Sequence, residues 1–199
     1  MQISVASDIA KAAAKLRSIT EAQQFRFAVA TALTRTAYDV QKEVRANMPQ
    51  RFTLRRDWIV RGIMVDRATK LNLTARVYSR DKFMGRQEAG GPKDPLRNYI
   101  AIPTKAVRRT AKDLIRRTEL PSSLGDRAHI VTVNGNKFLA LKKARKGKAK
   151  NELRLLYLLV PRARVNPRLG LGQDGRRVAP VKFAEHLRQA LQDAVRTAR

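Results

Sequence analysis

A long amphipathic pattern between Thr20 and Met48 constrains the fold of this chain more than any other feature. Apolar side chains recur there at spacings of three and four residues, which places them on one face of a helix. Pro49 follows directly and is a natural end for a helix. The pattern predicts a long helix with one buried stripe, made of Phe25, Val29, Leu33, Thr36, Ala37, Val40 and Val44.

Several shorter segments after Pro49 are typical of β-strands. Apolar and polar residues alternate in Leu71–Tyr78, as in a strand with one buried face. Asn134-Gly135 favours a two-residue hairpin turn, because both residues tolerate positive φ angles. A continuous apolar run from Leu153 to Val160 indicates a buried central strand. The predicted strands are Trp58–Val65, Leu71–Tyr78, His129–Val133, Asn136–Leu141 and Leu153–Val160.

A second amphipathic helix is predicted from Val181 to about Ala198, and a short one over 81–89. The apolar stripe of the C-terminal helix repeats every four residues, at Phe183, Leu187, Leu191 and Val195. The predicted fold class is therefore α+β, a mainly antiparallel β-sheet packed with a long N-terminal helix and a C-terminal helix. With 199 residues we expect a single domain over 1–199, with a basic loop at 142–152 and an extended loop at 161–180.

The charge of the chain points to a polyanionic partner. Lys and Arg number 43 against 16 Asp and Glu, a net charge of +27. No base-reading motif is present, so we expect contact with phosphates that does not depend on sequence. Aromatic residues make up only 6% of the chain, which argues against a stacking platform for single strands. The candidate residues facing DNA or a protein interface are Arg108, Arg109, Arg116, Arg117, Lys142, Lys143, Arg145, Lys146, Lys148 and Lys150.

The residue types that enzymes need do not form a catalytic pattern in this sequence. There is no cysteine, and neither His129 nor His186 has a second ligand at metal-binding spacing. The carboxylates are scattered singly, whereas a metal-dependent nuclease needs them clustered. Gly170–Gly175 matches G-x-G-x-x-G, but no second strand with a ribose-binding acid follows, so we interpret it as a loop. We expect no catalytic residues, no metal and no cofactor.

The double glycine at Gly90-Gly91 has a structural interpretation. A phosphate-binding loop would continue with Lys and Ser or Thr at the start of a helix. Here Pro92 follows, and proline removes a backbone donor. Gly90, Gly91 and Pro92 are therefore predicted to form a turn between a short helix and a strand.

Two stretches of the sequence resemble a known group of proteins. The first is VATALTRTAYDVQ, Val29–Gln41, on the long predicted helix, and the second is Gln87–Arg109, QEAGGPKDPLRNYIAIPTKAVRR. Together they are similar to the neck and tail-completion proteins of tailed bacteriophages, the group related to minor tail protein Z. The similarity covers about Ala28 to Arg109 and returns at Leu153–Val165.

The resemblance implies a non-enzymatic structural protein of the virion, assembled in the host cytoplasm. Such a protein would form a homo-oligomeric ring, a hexamer or alternatively a dodecamer, at the head–tail junction. Its partners would be copies of itself, the head–tail adaptor, the tail terminator or tube proteins, and the phage DNA in the channel, with no membrane. Two other hypotheses stay open on the residues alone: a free nucleic-acid-binding protein that does not read sequence, and a DNA enzyme.

Overall fold

The computed structural model describes residues 19–95, 97–142 and 153–197, and they divide into two compact units. Unit 1 combines the described residues up to Ala89 with those from Pro167 onward, and unit 2 is Gly90–Asn166. Long helices at both ends and antiparallel strands between them confirm the α+β class. The assignment of 1–199 to one domain stays a prediction.

Two long helices dominate unit 1. Helix α1 spans Ile19–Arg51, and every residue of its predicted apolar stripe is buried. Pro49 lies inside this helix rather than at its end. The helix continues to Arg51 because a proline in the last turn removes only one backbone donor. Phe52 N–H still donates to Met48 O at 2.9 Å.

The second long helix, α5, spans Leu171–Thr197 and runs antiparallel to α1. Its direction follows from three polar contacts between the helices. Asp174 pairs with Arg51, and Arg177 pairs with Glu43. Further along α5, His186 contacts Asp39, which lies earlier on α1. The partly buried side chains of Phe183, Leu187 and Leu191 pack on the core of α1, as predicted. The side chain of Val195 lies outside the described residues.

The predicted extended loop over 161–180 is wrong. A short strand, β8, occupies Ala163–Val165, and α5 begins ten residues earlier than Val181. Pro180 lies inside that helix and does not interrupt it. The helix begins at Leu171 because the carboxylate of Glu88 accepts hydrogen bonds from its first free N–H groups.

The strands of unit 1 are shorter than predicted. Trp58–Arg61 forms one helical turn, α2, which Gly62 ends by donating to Trp58 O at 2.9 Å. Strand β1, Ile63–Asp66, pairs with β2, Arg76–Ser79, so residues 58–61 and 71–75 were wrongly predicted as strand. Ile63 and Val77 face the core while Met64 and Tyr78 are exposed. Helix α3, Lys82–Ala89, confirms the short predicted helix.

Unit 2 contains a four-stranded antiparallel sheet in the order β4-β7-β6-β5. Its strands are β4 Ile100–Pro103, β5 Ala128–Val133, β6 Asn136–Lys142 and β7 Leu153–Val160. The hairpin is confirmed, with φ of 49° at Asn134 and 76° at Gly135. The interior position of β7 is confirmed as well.

Positive φ angles at the start of unit 2 agree with the predicted turn at Gly90, but Gly91 and Pro92 belong to a strand rather than to the turn. Gly90 has φ 71° and Gly91 has φ 109°, a backbone conformation that side chains with a Cβ rarely adopt. The strand that follows, β3, is Gly91–Lys93 and pairs with β8. The segment between β4 and β5 contains a helical turn, α4, at Pro121–Leu124. Val107, Leu124, Leu156 and Tyr157 form the buried core of this unit.

Candidate nucleic-acid interface

The fold of unit 2 brings the two predicted arginine pairs together. Arg116 N–H donates to Arg108 O at 3.2 Å, and Arg109 and Ile115 form an isolated antiparallel bridge. The chain reverses between them, where Thr110 N–H donates to Leu114 O at 2.8 Å and Asp113 has φ 55°. We call residues 105–119 the basic loop, which is a different segment from the loop predicted at 142–152.

Glu119 fastens the basic loop to the central strand β7. This side chain is 5% exposed, and both of its carboxylate oxygens lie 2.6 Å from Arg154 Nη2. The carboxylate also accepts a hydrogen bond from the Arg108 N–H at 2.5 Å. Arg154 donates further to Ala106 O, and Tyr157 Oη donates to Glu119 O at 2.7 Å. One buried acid therefore fixes both ends of the loop.

The pKa values of this cluster follow from its burial and its charges. Burial alone would raise the pKa of Glu119, but the hydrogen bonds from Arg154 and from the Arg108 N–H hold it below its ordinary value. Burial raises the pKa of Tyr157, and the nearby negative charge of Glu119 adds to that shift. Glu119 is thus ionised at neutral pH, and its negative charge compensates the positive charge of Arg154.

The cations of the basic loop differ in their availability. Arg109 contacts Asp113, and Arg108 lies 3.8 Å from Glu119. Arg116, Arg117 and Lys112 are exposed, and within the described part of the chain none of them forms an ion pair. These three side chains and the exposed Lys105 are the cations of the basic loop most open to an external anion.

Of the remaining predicted cations, only Lys142 belongs to the described residues. Lys142 is exposed at the last position of β6. Lys143, Arg145, Lys146, Lys148 and Lys150 lie outside the described residues. The loop predicted at 142–152 is therefore described only at Lys142.

The G-x-G-x-x-G sequence forms the N-terminal turn of helix α5 rather than a loop. Glu88 occupies the position that an anion would take, since its two oxygens accept the N–H groups of Leu171 and Gly172 at 2.9 and 2.8 Å. Asp174 is buried and pairs with Arg51 at 2.7 Å. An internal carboxylate thus satisfies the donors that a pyrophosphate would need.

Within the ranges that the structure describes, no three His, Cys, Asp or Glu side chains come close enough to hold a metal ion. His186 Nε2 lies 2.6 Å from Asp39 Oδ2 on the neighbouring helix. His129 is exposed on β5. Of the helices described, none is long and apolar enough to cross a membrane.

An aromatic pair that the sequence did not indicate lies on the surface of unit 1. The rings of Trp58 on α2 and Phe83 on α3 meet edge to face, with centroids 5.9 Å apart. Trp58 is 41% exposed and Phe83 is 49% exposed. The two residues are far apart in sequence and no shared periodicity links them, so only the fold could bring them together.

The chain belongs to a protein family of unknown function, DUF6441, whose sequence model matches residues 1–154. No curated protein matches the chain. No solved structure matches it either.

Proposed function

We propose that this protein is a structural component of a tailed-phage virion, forming a homo-oligomeric ring at the head–tail junction through which DNA passes. The proposal starts from the similarity of Val29–Gln41 and Gln87–Arg109 to neck and tail-completion proteins. The structural observation that carries it is an edge of the sheet in unit 2 that no other strand of the described residues covers. Such an edge is a template for pairing with a strand of a neighbouring subunit.

Strand β5 forms that edge. Its six residues, AHIVTV, include no Lys, Arg, Asp, Glu or Pro, the residues that usually prevent an edge strand from pairing with another chain. Ile130 is 58% exposed on this strand. In a hairpin with a two-residue turn, Val133 and Asn136 exchange hydrogen bonds, so the backbone groups of Ile130 and Thr132 point outward.

A closed ring requires two different surfaces on each subunit. The opposite edge of the same sheet, β4, supplies a second surface. Within this strand only Pro103, its last residue, lacks a backbone N–H for pairing with another strand. Pairing of β5 in one copy with β4 in the next would continue the sheet from subunit to subunit. The exposed cations of the basic loop would then serve the DNA path, without reading sequence.

The oligomeric state tests the ring. We expect light scattering to show one defined oligomer in both low and high salt, because the contact consists of backbone hydrogen bonds and apolar side chains. Thr132→Pro removes an outward N–H and leaves the β5–β6 hydrogen bonds in place, so it should give a folded monomer. Thr132→Ala keeps that N–H and should assemble normally. A monomeric wild type, or a Thr132→Pro variant that still assembles, contradicts the proposed contact.

A second measurement separates the ring from the free nucleic-acid-binding protein. Lys112, Arg116 and Arg117 changed together to Gln should lower duplex affinity and reduce the salt slope by about 0.9 for each phosphate that the variant no longer binds. The oligomer should persist, because none of these residues belongs to β5 or β4. A monomer whose only activity is DNA binding with a steep salt slope would favour the free binding protein instead.

A further inference from the structure

The low aromatic content of the chain argued against a stacking platform, but the fold brings two exposed rings together. We propose that Trp58 and Phe83, together with nearby cations of unit 1, form a binding surface for a single-stranded nucleic acid. This surface lies wholly in unit 1, whereas the basic loop and β5 belong to unit 2. The inference does not depend on the ring. We call the set Trp58, Phe83, Arg56, Arg61, Lys82 and Arg86 the aromatic patch.

The two rings of the patch offer flat apolar surface to the solvent. Their planes are inclined at 68°, so the rings do not cover each other face to face. Each keeps at least two-fifths of its surface exposed. An exposed aromatic face can stack on any nucleobase, and this interaction tolerates every sequence.

Cations accompany both rings at fixed helical positions. Arg61 follows Trp58 by three residues on α2, and Arg86 follows Phe83 by three residues on α3. Residues three apart on a helix lie on the same face, so each ring shares a helix face with one arginine. Arg56 and Lys82 add two further positive charges next to the same rings in sequence.

These four cations are available to an external ligand. All of them are exposed, and no ion pair within the described residues engages any of the four. The acidic neighbours are Asp57, which is exposed, and Asp81, which is half-buried. The patch therefore carries a net positive charge that its own carboxylates do not cancel.

The chemistry of the patch favours an unpaired nucleic-acid strand over other polyanions. Each nucleotide of a single strand presents one flat base and one phosphate, which match one ring and one guanidinium. A duplex offers phosphates but keeps its base faces stacked inside. An acidic peptide supplies carboxylates without a repeated flat ring. Only the single strand uses both parts of the surface.

Trp58 is the only tryptophan of the chain, so its fluorescence reports directly on this surface. We expect a dT oligonucleotide of about ten nucleotides, within the usual site size, to quench the emission saturably. A duplex with the same number of phosphates and a poly-glutamate peptide serve as probes without accessible bases. Equal quenching by the duplex, equal quenching by the peptide, or no quenching by the oligonucleotide would each overturn the inference. Equal quenching by the peptide would indicate an acidic protein partner.

Variants then separate stacking from charge, with affinity read by the anisotropy of a labelled oligonucleotide. Trp58→Ala should weaken binding about 5- to 100-fold, whereas Trp58→Phe, which keeps a ring, should weaken it less. Arg61→Gln with Arg86→Gln should lower the salt slope by about 0.7 for each phosphate that the variant no longer binds. Lys93→Gln with Arg97→Gln removes the same charge from exposed sites in unit 2 outside the basic loop and should leave the quenching unchanged.

Circular dichroism shows whether each variant is folded. If Trp58→Ala does not fold, Phe83→Ala provides the same test, because Trp58 still reports binding in that variant. A folded variant that lacks either ring and binds the oligonucleotide as tightly as the wild type would refute stacking.

Discussion

Replacing Glu119 with Gln removes the charge that fastens the basic loop to the sheet and keeps the volume of the side chain. The Glu119 carboxylate accepts three short hydrogen bonds, two from Arg154 Nη2 and one from the Arg108 N–H. Gln retains one acceptor oxygen, but its NH₂ group would face the Arg154 guanidinium, which is also a donor. Arg154 is only 16% exposed and would keep a positive charge with reduced compensation.

Removing one partner of a buried ion pair typically costs about 3–5 kcal/mol, because the other charge is left uncompensated. Arg154 would still donate to Ala106 O through two nitrogens, which offsets part of that cost. We therefore expect Glu119→Gln to lower the free energy of unfolding of unit 2 by about 2–4 kcal/mol at pH 7.

Urea unfolding followed by far-UV circular dichroism measures the change, and the fluorescence of Trp58 reports on unit 1 as an internal reference. The folded-state pKa of Glu119 is lowered, so its charge contributes to the free energy of unfolding. That contribution is full at pH values above the unfolded-state pKa of about 4.3, and it is lost as the pH falls through the folded-state pKa. Gln cannot titrate. The difference between wild type and variant should therefore be full at pH 7 and shrink below about pH 4.

Asp126→Asn is the matched control, since Asp126 is an exposed acid in the same unit. Its effect should stay within about 0.5 kcal/mol. The reasoning is refuted if Glu119→Gln costs less than about 1 kcal/mol, or if its cost is the same at pH 3 and pH 7.

Four further substitutions test the backbone conformation, the packing and the capping of α5. Gly91→Val should lower the free energy of unfolding by about 1–3 kcal/mol in thermal unfolding, because φ is 109° at this residue. No atom lies within 4 Å of an added Cβ, so the cost comes from the backbone alone. Gly85→Ala, at an open position inside α3, should instead raise the free energy of unfolding by about 0.5–1 kcal/mol. Leu187→Asp should lower the free energy of unfolding by about 2–4 kcal/mol or block assembly, because it places a charge against the core of α1. A stable variant that still assembles would show that this face of α5 is solvated. Glu88→Ala should reduce helicity and stability by about 1–2 kcal/mol by uncapping α5, and unchanged circular dichroism and urea midpoint would contradict the capping role.

The elements that could be predicted from the sequence are those whose signal is local. The stripe of α1 follows from its helical spacing, and all of its predicted members are buried. The hairpin follows from Asn134-Gly135, and the turn at Gly90 follows from the conformational freedom of glycine. The continuous apolar run of Leu153–Val160 identified the strand that lies inside the sheet. In each case, the residues that cause the local structure lie close together along the chain.

Tertiary contacts decided the rest. Helix α5 begins at Leu171 rather than Val181 because Glu88, more than 80 residues away, caps it. Glu119 lies in a basic segment, and its role depends on Arg154 from a distant strand. Trp58 and Phe83 meet only through the packing of α2 and α3. Burial, capping and ion pairing between distant residues depend on positions in space, so the spacing of residues along the chain carries no signal for them.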